Sequence, residues 1–103
     1  MRIVVFITAK DKKEADKIAK ALIKKRLAAC VNILAGARSL FWWKGKIDRA
    51  KEVLLVVKTK KEKFGEITKL VKTLHSYEVP EIIAVSIVSG FKPYLKWIDE
   101  SLR

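Results

Sequence analysis

The stretch AACVNILAGARSLFWWKGKIDRAKEVLLVVKT, residues 28–59, decides the fold that this sequence predicts. It begins with strand character over Ala28–Leu34 and resumes that character over Ala37–Ile47, which is rich in β-forming residues. Asp48–Ala50 then predicts a turn, and the aliphatic run within Glu52–Thr59 predicts a covered strand that leads back. The stretch therefore predicts a long antiparallel β-hairpin.

The first arm of this hairpin is long compared with the expected size of the molecule. Ala28–Ile47 would span about 65 Å if it were continuous at roughly 3.3 Å per residue, whereas a domain of this length has a radius of gyration of about 13 Å. Either Gly36 bends the strand or the hairpin projects. A projecting hairpin would expose Phe41, Trp42 and Trp43 together with open strand edges, so we expect a homo-oligomer.

The segment that precedes the hairpin predicts a strand and a helix. Arg2–Thr8 is an apolar run rich in β-branched residues, which is typical of a strand buried on both faces. Asp11 and Glu14 have the spacing of a capping box, which marks a helix start. The predicted helix is amphipathic, with apolar residues at Ala15, Ile18, Ala19, Leu22 and Ile23.

The segment that follows the hairpin predicts a helix, a strand and a short helix. Thr59 and Glu62 have the spacing of a second capping box, and Phe64–Leu74 carries apolar residues at helical spacing. Ile82–Val88 predicts another strand, and Pro93 suits the first position of a C-terminal helix. The element order predicts an α+β, ferredoxin-like (split βαβ) antiparallel sheet with two helices on one face and an extra C-terminal helix.

Length and composition are those of one folded domain. The 103 residues predict a single domain over residues 1–103, and a 50% hydrophobic content argues against disorder. The apolar run Ile3–Ile7 is far shorter than the roughly 20 residues of a membrane span, and the N-terminus lacks a signal-peptide pattern. Cys30 is the only cysteine and cannot form an internal disulfide, so we expect a cytoplasmic protein.

The net charge of +12 raises the question of an anionic partner. Lysines along the first predicted helix contribute much of this excess. The ferredoxin-like fold is also that of the RNA-recognition module, but the sequence lacks its Lys/Arg-Gly-aromatic signature and the stacking aromatics of its central strands. We therefore expect no specific nucleic-acid binding, and we interpret the lysines as a solvated exterior in which ion-pair networks can form.

His75 is the only histidine, and two interpretations of it are open. It can interact with the free carbonyls at the end of its helix. It can also bind Cu(II) or Zn(II), with Glu78 and Glu81 close in sequence and further ligands from other subunits. Cys30 lies among small and apolar strand residues, so we expect it to pack in the core rather than act as a ligand.

The aromatic and apolar residues beside this histidine also have two interpretations. Tyr77, Val79 and Pro80, together with Trp42 and Trp43, can line a ligand cleft where subunits meet, or can form plain interface packing. Since side chains alternate along a strand, Trp42 and Trp43 should point to opposite faces. The sequence has no nucleophile or phosphate-binding motif, and we expect a protein that is not an enzyme.

Several separate motifs carry a resemblance to a known family. They are, in chain order, RLAACVNI (Arg26–Ile33), SLFWWKGKI (Ser39–Ile47), EVLLVVKT (Glu52–Thr59), HSYEVPEI (His75–Ile82) and YLKW (Tyr94–Trp97). With these motifs the sequence resembles the CutA divalent-cation tolerance family over essentially the whole chain. The resemblance implies a ferredoxin-like protomer, a homotrimer built by pairing of strand edges, and a role linked to divalent metals, copper in particular.

The resemblance also identifies candidate metal ligands. Family members that bind copper have a cysteine where this chain has Ile7 and a second histidine where it has Leu74. His75 and Glu81 match metal-associated positions, so the resemblance implies weak binding of Cu(II) or another divalent cation through these two residues. The alternative function is a trimeric regulatory or scaffolding module, similar in shape to PII signalling proteins, that binds a small ligand or a protein partner at subunit clefts.

Overall fold

A computed structural model describes the whole chain, residues Met1–Arg103. Its four strands form one antiparallel sheet in the order β2-β3-β1-β4, and they are β1 (Arg2–Ala9), β2 (Cys30–Trp43), β3 (Lys46–Lys60) and β4 (Ile82–Ser86). The helices are α1 (Lys12–Lys24), α2 (Phe64–Leu74) and α3 (Lys92–Ser101), and a 3₁₀ turn over Lys61–Lys63 precedes α2. This arrangement confirms the predicted α+β, ferredoxin-like sheet with an additional C-terminal helix. None of the helices combines the length and apolar character needed to cross a membrane.

One face of the sheet carries the hydrophobic core. Alternate residues of β1 point into it, and Val5 and Ile7 are completely buried. The apolar faces of α1 and α2 cover the same face, which confirms the prediction of two helices on one side. The hydrophobic core is a cluster of 15 buried residues. The helices contribute Ala15, Ile18, Ala19, Leu22, Ile67 and Val71 to it.

The other face of the sheet, which we call the outer face, is only partly covered. It carries Val4 and Phe6 of β1, which pair with Val85 and Ile83 of β4. Val4 and Phe6 are half-buried, and Ile83 is 52% exposed. The prediction that β1 is buried on both faces is therefore wrong for the single chain, because α1 and α2 lie on one side only.

Helix α3 covers one end of the outer face. The Arg2 guanidinium donates two hydrogen bonds to the Asp99 carboxylate, at 3.1 and 2.6 Å. The apolar side of α3 packs inward through Ile98, which is completely buried. The bidentate ion pair thus fixes the C-terminal helix to the first strand.

Cys30 lies on the outer face and not in the core, contrary to the prediction. It pairs with Lys58 across β2 and β3, and Lys58 points away from the core because its neighbour Val57 points into it. The Cys30 thiol is half-buried and lies 3.9 Å from the Lys58 Nζ. Register, which sequence composition does not reveal, decides the side of the sheet on which the thiol lies.

The hairpin both bends and projects. A β-bulge lies between Leu34 and Ala37, where Gly36 has a φ of +88°, a conformation that favours glycine. Pairing of β1 with β3 stops at Ala9 and Val53, so the earlier residues of β3 pair with β2 alone. The molecule is consequently elongated, with extents of 44 × 26 × 23 Å.

The hairpin turns at Lys44 and Gly45, so the predicted turn at Asp48–Ala50 is wrong. Lys44 and Gly45 have φ values of +51° and +77°, which is the backbone geometry of a two-residue type I′ turn. Asp48–Ala50 continues β3, where Arg49 pairs with Leu40. The match between turn geometry and strand twist outweighs the polar character of Asp48–Ala50.

The predicted capping box at the start of α2 is also wrong. Thr59 belongs to β3, where it pairs with Ile3 and is completely buried. Its hydroxyl donates a hydrogen bond of 2.6 Å to the backbone carbonyl of Leu27. Helix α2 instead begins through the 3₁₀ turn, and its N-cap residue Lys63 makes no side-chain cap.

Strand β4 is two residues shorter than predicted. It ends at Ser86 and not at Val88, since Ser86 pairs with Ile3 and the partner strand β1 begins one residue earlier. The Ile87 N–H donates a last bond to the Arg2 carbonyl. Val88 therefore has no strand to pair with and stands 92% exposed.

The predicted cap of α1 is confirmed and is linked to the end of α2. Asp11 Oδ1 accepts a hydrogen bond of 2.8 Å from the Glu14 N–H. Glu14 is itself buried, and its carboxylate accepts the N–H groups of Lys10 at 3.0 Å and Ser76 at 2.8 Å. Burial by itself raises the pKa of Glu14, but these hydrogen bonds and the nearby His75 outweigh burial and lower the pKa below its usual 4.5.

We predict that Thr59→Val lowers the free energy of unfolding by about 1–3 kcal/mol, because the buried Leu27 carbonyl loses its donor while side-chain volume is conserved. Thr73→Val is the matched control, since its exposed hydroxyl bonds to Leu70 within α2 and its loss should cost less than about 0.5 kcal/mol. Denaturant unfolding at fixed chain concentration measures both. Equal effects of the two variants would contradict the assigned role of the buried hydroxyl.

We predict that Glu14→Gln destabilises the protein near neutral pH by about 1–3 kcal/mol, because an amide cannot accept from both backbone donors. The folded-state pKa of Glu14 is lowered, so its contribution is complete above the unfolded value of 4.5 and is lost as pH falls through the folded value. The stability difference from wild type should therefore shrink in acid. Glu100→Gln, on the exposed side of α3, serves as control. A difference that is independent of pH would contradict the prediction.

Candidate functional site

A cleft of about 890 Å³ lies where the projecting hairpin meets the end of β1 and the segment after α2. Aromatic rings of Phe41, Trp43 and Tyr77 form part of its wall. Its charged lining residues are Arg38, Asp48, Arg49, Glu52, Glu78 and Glu81. Four carboxylates against two guanidinium groups give the cleft a formal charge of −2 in a chain of charge +12.

Glu52 is the most deeply placed carboxylate of the cleft, with only 8% of the residue exposed. Its Oε2 accepts a hydrogen bond of 2.9 Å from the Tyr77 hydroxyl. It takes part in none of the ion pairs of the chain. A nearly buried carboxylate without a cationic partner is a favourable place for a cation to bind.

Tyr77 acts as a hydrogen-bond donor to this carboxylate over the whole physiological pH range. Burial and the bond to Glu52 raise the pKa of the Tyr77 phenol to about 12. The ring also packs against the imidazole of His75, with centroids 4.7 Å apart. Tyr77 therefore joins the wall of the cleft to the residues behind it.

His75 lies behind the cleft and not in it. Its side chain is completely buried, and its Nε2 donates to the carbonyl oxygen of Thr8 at 2.6 Å. Its Nδ1 accepts the N–H of Tyr77 at 3.0 Å and lies 3.7 Å from Glu14 Oε1. Both nitrogens are engaged, so the imidazole as folded has no free lone pair for a metal and instead ties the segment after α2 to β1.

The structure separates the sequence-predicted site residues into two groups. Glu81 lines the cleft together with Tyr77, Val79 and Pro80, and the last three are residues that the cleft interpretation named. Trp43 also lines it. Trp42 lies outside the cleft and is 73% exposed. His75 and Glu81 are therefore close in sequence but face different surroundings.

The two positions at which copper-binding members of the resembled family have ligands are part of the core here. Ile7 is completely buried, and Leu74 packs against the same cluster. No group of three His, Cys, Asp or Glu side chains lies close enough within the chain to hold a metal ion. A cation in the cleft would thus be bound by few ligands of one chain, or by ligands from more than one chain.

Sequence reasoning missed Glu52, Arg38 and Arg49 as cleft residues. All three lie on the projecting part of the hairpin, and their positions depend on the bulge and register of β2 and β3. Glu52 did carry a usable indication, because it is an acidic residue at the start of the apolar run that forms a covered strand. The arginines carried none.

The chain matches known proteins over nearly its whole length. The family model of the CutA1 divalent ion tolerance protein matches residues 3–101. The divalent-cation tolerance protein CutA of Archaeoglobus fulgidus is 50% identical over 99 residues, with 96% of each chain covered. The CutA protein of Thermus thermophilus is 46% identical, with 98% of each chain covered. The chain spans 57% of the rice chloroplastic protein CutA 1, at 42% identity.

Solved structures agree with these sequence matches. The structure described as the periplasmic divalent cation tolerance protein CutA of Archaeoglobus fulgidus superposes with a TM-score of 0.97 at 48% identity, with both chains fully covered. The divalent cation tolerance protein of Thermus thermophilus superposes with a TM-score of 0.96 over 98% of each chain. By sequence and by structure, this chain belongs to the CutA1 divalent ion tolerance family.

Proposed function

We propose that this protein serves in divalent-cation tolerance by binding Cu(II) or another divalent cation weakly in the cleft, with Glu81 as a ligand. The observation that carries the proposal is the accumulation of four carboxylates in one cleft of an otherwise strongly basic chain. Glu52 adds a nearly buried carboxylate that lacks a cationic partner. Affinity for divalent ions at oxygen and nitrogen sites rises toward Cu(II), so Cu(II) should bind more tightly than Mn(II).

His75 contributes to this function as a positioning residue. Its two hydrogen bonds fix the start of the segment that carries Glu81, and Glu14 binds the N–H of Ser76 in the same segment. Direct coordination by His75 would require the N–H of Tyr77 to give up its bond to Nδ1. The geometry therefore favours carboxylate ligands over the imidazole.

We further propose that the protein acts as a homotrimer. The outer face exposes Leu34, Ile83 and Val85, and the projecting hairpin exposes Leu40 and Trp42. The sheet also ends in two open edges, at β2 and at β4. Exposed apolar surface beside open strand edges is typical of a surface that a second copy covers. Among the possible oligomers we propose the trimer, because the resemblance to the CutA family implies it.

Two further expectations belong to this proposal. Cys30 is a free thiol, which supports a reducing compartment, and we place the protein in the cytoplasm. Cys30 lies at the end of β2 beside Lys58, and His75 has both nitrogens engaged. The imidazole of His75 thus has no nitrogen free to act as a general base, which supports a binding function and not an enzymatic one.

A second candidate function is the capture of a small ligand in the manner of a regulatory module. The cleft volume of about 890 Å³ lies within the range of small-molecule sites. Arg38 and Arg49 can bind carboxylate or phosphate groups, and Trp43 offers an aromatic surface. Capture of a small ligand predicts no stoichiometric metal uptake, so titration with Cu(II) distinguishes the two candidate functions.

We predict that calorimetric titration with Cu(II) shows uptake by the wild-type protein and that Glu81→Gln weakens the affinity by about tenfold or more. Glu66→Gln, an exposed carboxylate of α2 outside the cleft, should leave the affinity unchanged. The variant His75→Gln, whose amide can still donate a hydrogen bond to the Thr8 carbonyl, should retain most of the wild-type affinity for Cu(II). Loss of binding in His75→Gln with full binding in Glu81→Gln would show that the imidazole is the ligand. No uptake by wild type would contradict the metal site.

We predict that light scattering gives a mass about three times the chain mass of 11.8 kDa at micromolar concentration. Ile83→Glu should reduce this mass, because it places a charge on the outer face that the trimer covers. Ile23→Glu is the control, since Ile23 is 43% exposed on α1 among charged residues. A monomeric wild-type protein, or an unchanged mass for Ile83→Glu, would contradict this assembly.

A further inference from the structure

The lysines of α1 form an exposed stripe that no contact within the chain uses. Lys13, Lys17, Lys20 and Lys24 follow one another at intervals of four, three and four residues, which places them along one side of the helix. All four are exposed, and the buried residues of α1 lie on its opposite side. We call these four residues the lysine stripe.

The charges of the lysine stripe are not neutralised. Asp16 is the one exposed acidic residue of α1, and it forms no ion pair with any lysine. The ion pairs of the chain are Arg2–Asp99, Lys60–Glu62 and Lys60–Asp99, and none of them involves a lysine of α1. The interpretation that the lysine excess forms ion-pair networks is therefore wrong for this helix.

Helix stability does not account for the lysine stripe either. Like charges three or four residues apart repel one another and destabilise a helix. Lys12 and Lys13 lie in the first turn, where the helix dipole disfavours cations, and only Lys24 near the C-terminus is favoured by it. An excess of one sign of charge favours solubility, but solubility does not require the lysines to follow one side of one helix. The arrangement suits a partner with repeated negative charges.

We propose that the lysine stripe binds the phosphate backbone of a nucleic-acid duplex without sequence preference. The distance from Lys13 to Lys24 along the helix axis is about 16 Å at a rise of about 1.5 Å per residue. A duplex presents about five phosphates of one strand over that length, at about 3.4 Å axial spacing. Ammonium groups bind phosphates as point charges and impose no base readout, which agrees with the absence of an RNA-recognition signature.

The surroundings of the lysine stripe favour a nucleic acid over a membrane surface. Helices that lie in a membrane interface insert an apolar face, whereas the apolar face of α1 is buried in the core of this protein. Ile23 is the only large apolar residue that α1 exposes. The apolar surfaces proposed to meet in the trimer lie on the sheet and the hairpin, so the lysine stripe stays accessible in three copies.

The test is fluorescence anisotropy of a labelled DNA duplex of about 30 base pairs with the intact protein. Neutralisation of four phosphates by one docked chain predicts a slope of about −3.6 in a plot of log affinity against log salt. Affinity should then fall roughly 150-fold between about 50 and 200 mM salt. Two duplexes of unrelated sequence should bind equally.

Two variants with the same net charge locate the binding surface. Lys13→Glu/Lys17→Glu/Lys20→Glu reverses the stripe, and Lys61→Glu/Lys92→Glu/Lys96→Glu reverses three exposed lysines outside α1. Each replacement changes the charge by two, so both variants go from +12 to +6. The stripe variant should lose at least about tenfold in affinity and the control less than about threefold.

Several results would overturn the proposal. Equal weakening of the two variants would show that net charge alone attracts the duplex. No binding at about 50 mM salt would remove the site. Binding to phosphatidylglycerol vesicles but not to the duplex would assign the lysine stripe to a membrane surface. A preference for one duplex sequence would contradict backbone recognition. Circular dichroism of both variants keeps the comparison valid by confirming that the helices are intact.

Discussion

The difference in length between β3 and its neighbour β1 is the constraint on which the cleft and the exposed surfaces depend. β3 has 15 residues and β1 has eight, so the sheet narrows to a two-stranded ribbon beyond the pair of Ala9 and Val53. An isolated two-stranded ribbon is marginally stable in water. This ribbon also carries Leu40 and Trp42 in exposed positions, which a monomer would leave in contact with water. The ribbon creates one wall of the cleft and also the exposed apolar surface from which the trimer is proposed. The cleft and the proposed assembly therefore depend on the same part of the hairpin.

The opposite wall of the cleft depends on buried polar contacts. Ser76 and Tyr77 each give a backbone N–H to a side chain, the first to Glu14 and the second to His75, and the Tyr77 hydroxyl then reaches Glu52. Each of these bonds satisfies a group that would be costly to leave unpaired at partial burial. Together with the bond from His75 Nε2 to the Thr8 carbonyl of β1, they join α1, β1, β3 and the segment after α2. These bonds hold the segment that carries Glu78 and Glu81, so His75 contributes to the shape of the cleft without lining it.

Elements with strong periodic patterns were predicted well from the sequence, and features that depend on register or on long-range contacts were not. The helices and the covered strands follow from apolar spacing alone, because that spacing is a local property. The turn at Gly45 was missed because its position depends on backbone geometry, and Thr59 was assigned to a cap because its bond to Leu27 links residues distant in sequence. In the site, Glu81 could be found by resemblance. The positions of His75 behind the cleft and of Glu52 inside it could not be predicted from the sequence, because they arise only when the hairpin folds back beside β1.

The acidic cleft and the basic exterior occupy different parts of the surface, and this decides which ligands each of them can attract. At physiological salt, charges farther apart than about 8 Å are largely screened. A cation that has reached the cleft therefore interacts mainly with the charged residues of the cleft, whose four carboxylates outnumber its two arginines, and only weakly with the lysines of the exterior. An ion that approaches the protein from solution experiences the whole basic exterior, which at lower salt repels cations and attracts anions. In a trimer this exterior carries three times the charge, while each cleft keeps its own local field. The same chain can therefore present short-range sites for cations within a surface that favours polyanions.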